Sequence, residues 1–126
     1  EPTMLAYATI GTNDLPRAAA FYDDVLGLVG GKRVMEFEQF IAWGTSEVSP
    51  GLGVTRPFDG NAATVGNGCM VALHADSRAV VDQVHARVLE LGGSNEGAPG
   101  ERFDGFYAAY FRDLDGNKLN VCCMGP

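Results

Sequence analysis

A chain of 126 residues with 46% apolar and 20% charged residues falls in the range of one globular domain with a real core. Its formal charge of −7 and the lack of any basic run exclude a nucleic-acid or anionic-membrane partner held by clustered Lys and Arg. No apolar run reaches the roughly 18 residues of a spanning helix, and the first residues do not read as a signal peptide.

In chain order, a β-like run, Leu5 to Ile10, leads to a polar helix start at Asn13-Asp14, with Pro16 in the first turn where a missing N–H costs nothing. Leu15, Ala18, Ala19, Tyr22, Val25 and Leu26 then follow the spacing of a helix with one buried face. The ending Val25-Leu26-Gly27-Leu28 runs into Gly30-Gly31. β-like runs follow at Arg33 to Phe37, Gln39 to Gly44 and Gly51 to Arg56, and then a turn-rich segment, Pro57 to Asn67.

The pattern then starts again. Cys69 to Ala75 is β-like, Asp76-Ser77 is a helix start, and Val80, Val81, Val84, Val88 and Leu91 mark one helical face that ends in Gly92-Gly93. A weaker strand near Ser94 to Gly97, a glycine-rich loop from Gly97 to Gly105, and clear strands at Phe106 to Arg112 and Lys118 to Cys123 complete the second half. Between the last two strands, Asp115-Gly116-Asn117 supplies turn residues that tolerate positive φ. Tyr7 and Met70 are 63 positions apart, as are Val25 and Val88, which is half the chain.

The reading is therefore an α+β protein of one domain, residues 1–126, built from two tandem βαβββ modules at about 1–60 and 66–126. Each module covers one face of a curved mixed sheet with its helix and leaves the other bare, so that two modules side by side are expected to enclose a central trough for a ligand. Cys69, Cys122 and Cys123 are odd in number, and adjacent residues on a strand face opposite ways. Small buried hydrophobes in a reducing cytoplasm are expected of them, rather than a disulfide framework.

Over essentially its whole length the sequence resembles the vicinal-oxygen-chelate (glyoxalase/bleomycin resistance) superfamily. The resemblance rests on Gly11-Thr12-Asn13-Asp14-Leu15 followed by Ala20-Phe21-Tyr22-x-x-Val25-Leu26-Gly27-Leu28, on Gly66-Asn67-Gly68 before the second module with Gly92-Gly93 after its helix, and on Phe111-Arg112-Asp113-Leu114-Asp115-Gly116-Asn117-Lys118-Leu119. It implies a homodimer, and in the metalloenzymes of the family one divalent ion bound by His and Glu from strands of both modules. The matching positions here fall on Tyr7, Met70 and Asn120, with the fourth near Arg56 or, one residue on, Pro57. None is a usual ligand for such an ion, so no metal and no other cofactor is expected.

The remaining candidates are few. His74 shares strand parity with Met70, whereas His85 in the second helix reads as surface or core edge, and Glu36 and Glu38 read as a solvated face. Tyr7, Trp43, Arg56, Met70, His74, Phe106, Tyr107 and Asn120 are the expected ligand-binding residues, with Phe103 beside them in a wall or lid. Tyr7, His74 and Asn120 are the candidates for acid–base or polarising roles. These residues favour a metal-free protein that binds a small organic molecule. A lyase, isomerase or dioxygenase of the glyoxalase type, metal-free or divalent-metal-dependent, is the alternative.

Overall fold

The protein is described over residues 3–125 in a computed structural model. The first half contains β1 (Tyr7–Gly11), α1 (Leu15–Gly27), β2 (Lys32–Glu36), β3 (Phe40–Gly44) and β4 (Gly51–Thr55). The second contains β5 (Val71–His74), α2 (Arg78–Glu90), β6 (Ser94–Phe103), β7 (Phe106–Arg112) and β8 (Lys118–Met124). This is βαβββ twice, in two compact units, residues 1–64 and 65–126, whose seam lies in the turn-rich segment.

In the first unit the strand order is β1-β4-β3-β2, with β1 parallel to β4 and the other pairs antiparallel. Asp14 caps α1 by accepting the Arg17 N–H at 3.1 Å, Pro16 stands in the first turn, and Gly30 follows the helix at φ +87°. The buried stripe Leu15, Ala18, Ala19, Tyr22, Val25 and Leu26 packs with Ile41, Trp43, Leu52 and Val54 as the core. Alternation then sends Phe40 and Ala42 of β3, and Gly51, Gly53 and Thr55 of β4, to the face that α1 does not cover.

The second unit repeats the plan in the order β5-β8-β7-β6. Ser77 caps α2 through the Val80 N–H, and Gly92, φ +101°, follows the helix. Its core of Val81, Val84, Val88, Ala109, Phe111, Leu119 and Val121 is fully buried. The expected short strand at Ser94 to Gly97 is corrected: β6 runs to Phe103 through the segment expected to be a loop. Three register shifts let it pass its glycines and Pro99, and Arg102 donates to the carbonyls of Ala98 and Gly100 at 2.6 and 3.0 Å. Among the described residues no helix is long and apolar enough to cross a membrane.

All three cysteines are free: Cys123 is buried, Cys122 half-buried with its thiol pushed up by desolvation, and Cys69 exposed, contrary to the expectation that all would pack inside.

Candidate functional site

The open face of the first unit is aromatic. The Phe40 ring lies across Gly53, where a Cβ would come within 2.5 Å of it, so glycine at 53 is what gives the ring its place. Tyr7 meets that ring edge-on at 6.2 Å and is 62% exposed. Phe40 is the wall common to two cavities. One of about 390 Å³ is lined by Tyr7, Val34, Met35, Phe37, Phe40 and Ala42, with Glu47 and Ser49 also contributing. The other, of about 760 Å³, lies among Thr12, Asn13, Gln39, Phe40, Thr55, Arg56 and the residues that follow. Both fall in the usual size range of small-molecule sites.

On the open face of the second unit, register places Asn120 opposite Ala72 and Tyr110, Cys122 opposite His74 and Ala108, and Met124 opposite Phe106. Phe103 and Phe106 stack with ring centroids 4.7 Å apart, and Met70, just before β5, is 44% exposed. Asn120 is only 3% exposed, and its Oδ1 has no hydrogen-bond partner among the described residues. A buried acceptor in that state calls for a donor from water or a ligand.

Several expected site residues stand elsewhere. Trp43 faces α1, is 1% exposed and donates its indole N–H to Asp23 at 3.0 Å, so it belongs to the core. Arg33 grips the same carboxylate at 2.9 and 2.8 Å and holds it below the usual range. Tyr107 also faces the helix: its hydroxyl donates to Asp82 at 2.7 Å, which pushes the phenol up, and Arg78 lies 4.9 Å over its ring. Neither residue can line an open face.

His74 sits on an exposed strand position with Nε2 3.3 Å from Asp76, both side chains in water. His85 is a buried core-edge residue whose Nε2 meets Asn95 Oδ1 at 2.9 Å. Glu36 pairs with Arg33, and Glu38 is exposed.

Sequence reasoning missed Met35, Phe37, Gln39, Phe40 and Phe58. Strand parity held the signal for one of them: in Phe40-Ile41-Ala42-Trp43, placing Trp43 on the helix side sends Phe40 to the other.

Two four-stranded mixed sheets, each backed by one helix and reached in the order βαβββ, define the glyoxalase fold. A profile of the "Glyoxalase/Bleomycin resistance protein/Dioxygenase superfamily" matches residues 4–121, and the chain belongs to that superfamily. A glyoxalase/bleomycin resistance protein from Albidiferax ferrireducens T118 is 34% identical, with 96% of this chain and 98% of that one covered at a TM-score of 0.88. The lactoylglutathione lyase of Agrobacterium tumefaciens shares the fold at 24% identity, 97% and 94% coverage and a TM-score of 0.70. The fosfomycin resistance protein FosX of Mesorhizobium loti shares it at 18% identity, 98% and 93% coverage and 0.68. No curated protein matches the sequence.

The strand registers also relocate the fourth position that the family resemblance assigns to a metal ligand. Ala8 pairs with Leu52 as Val71 pairs with Leu119. Ala8 to Val71 is 63 positions but Leu52 to Leu119 is 67, because the β6–β7 hairpin makes the second unit longer. The match to Asn120 is therefore Gly53, and neither Arg56 nor Pro57 occupies that place. The first unit thus offers Tyr7 and Gly53, a phenol and no side chain, and the second offers Met70 and Asn120, a thioether and an amide. Such donors do not fit a zinc, nickel or manganese ion, which takes imidazole, carboxylate or several oxygens. Among the described residues no group of three or more His, Cys, Asp or Glu is placed to hold one.

Proposed function

We propose that this protein binds a small, flat organic molecule on the open face of its first unit and needs no divalent ion to do so. The observation that carries the reading is the Phe40 ring, which fills the space over Gly53 and walls two cavities at once. Two supports stand beside it. The four family ligand positions hold no metal-binding set, and the solvent-facing Tyr7, Met35 and Phe37 leave apolar surface that a ligand would cover. On the other unit, the buried amide oxygen of Asn120 is an acceptor without a partner among the described residues.

A neutral planar probe tests this. In chelator-containing buffer, 2-naphthamide is expected to shift the backbone NMR signals of Tyr7, Met35 and Phe40, and Phe40→Ala is expected to weaken its binding about fivefold. Shifts confined to other parts of the chain, or an affinity unchanged by Phe40→Ala, would refute the reading.

A further inference from the structure

The larger cavity has a chemistry of its own, and we infer that it takes the carboxylate of a planar aromatic acid, with Arg56 as the anion-binding residue. The inference rests on the proposed open-face site and names its ligand class.

The cavity is built. Its floor is the end of β4, where Thr55 Oγ1 donates to the carbonyls of Gln39 and Arg56 at 3.0 and 2.9 Å and the Arg56 N–H donates to Gln39 at 2.9 Å. Its outer wall is the loop after Arg56, tied back by Asn13, whose Oδ1 accepts the Ala63 N–H at 2.7 Å and whose amide nitrogen reaches the Ala63 carbonyl at 3.5 Å. Gly11 lets that loop pass close by: a Cβ there would be 3.0 Å from Ala63 Cβ.

Within these walls Arg56 is the single charged lining residue, and its guanidinium has no hydrogen bond or ion pair with the described residues. Other arginines of this acidic chain are engaged: Arg33 with Asp23, Arg78 with Glu101, Arg87 with Glu90, Arg112 with Glu96. Asp59, the nearest acid in sequence, does not line the cavity, and both its oxygens are taken by Asn61 at 2.9 and 3.1 Å. A guanidinium left without a counter-ion is a two-pronged donor for a carboxylate. Gln39 supplies an amide within reach of the same space, and Phe40 and the fully exposed Phe58 supply rings for a flat apolar body.

The test is NMR titration of the whole chain with 2-naphthoate and, separately, with 2-naphthamide, at fixed low salt. The acid is expected to bind about tenfold tighter than the amide, to shift Gln39, Arg56 and Phe58, and to lose that advantage in Arg56→Gln, while the amide binds both forms alike. Equal affinity for acid and amide in the native protein would overturn the carboxylate site and leave the open-face reading standing. Binding of neither compound would overturn both. Shifts of Phe58 that follow protein concentration without any acid would assign that ring to contact with a second copy, and would overturn the inference as well.

Discussion

Asp23 receives the indole N–H of Trp43 and both prongs of Arg33, so one half-exposed carboxylate fixes the edge of the first sheet against α1. Its folded-state value lies below the ordinary 3.8, chiefly because of the Arg33 hydrogen bond. The stabilisation is therefore present above that ordinary value and is lost as pH falls through the folded one. Because the pair is partly exposed, its size is about 1 kcal/mol or less. Asp23→Asn is expected to lower the melting temperature at neutral pH, and the difference should shrink as pH falls through the lowered folded-state value of Asp23. Thermal melts across the acid range check this, and a deficit that persists undiminished at low pH would contradict it. The same scale shows why Trp43 misleads a reader of sequence. A lone Trp suggests a ligand wall, but alternation along β3 and the partner Asp23 commit it to the core, and only strand pairing reveals that Phe40 inherits the exposed role.

At the scale of elements, both helices and the glycine endings were legible, because caps, periodicity and the left-handed residues are local in sequence. β6 was not. Gly97, Pro99 and Gly100 are loop formers by composition, and what keeps them in a strand is non-local: pairing with β7 and the Arg102 guanidinium over the freed carbonyls. The β7–β8 hairpin was legible as Asp115-Gly116-Asn117, but its clasp is Asp113. That buried carboxylate accepts the N–H groups of Asp115 and Asn117, each at 2.9 Å, and the Asn117 side-chain amide at 3.0 Å. Asp113→Ala strands those donors and is expected to cost about 2 kcal/mol, read as a lower urea midpoint with an unchanged slope. A midpoint equal to that of the native chain would show that the turn residues suffice alone.

For the whole molecule, the repeat was visible as a 63-residue offset, and the family followed from motifs in order. For the candidate site, the resemblance implies Tyr7, Met70 and Asn120 where the first strands and the closing hairpin align without gaps. Gly53 was not legible, because the longer β6–β7 hairpin changes the offset to 67 only after the helix. That correction separates two roles that the sequence had merged: strand register matches Gly53 to Asn120, while Arg56 lines a cavity. The central claim is that the chain keeps the family's fold while its ligand positions no longer suit a metal ion. Calorimetric titration of the chelator-treated protein with zinc, nickel and manganese ions tests this most directly. The account predicts no heat beyond dilution for any of the three, and stoichiometric tight binding of one of them would contradict it.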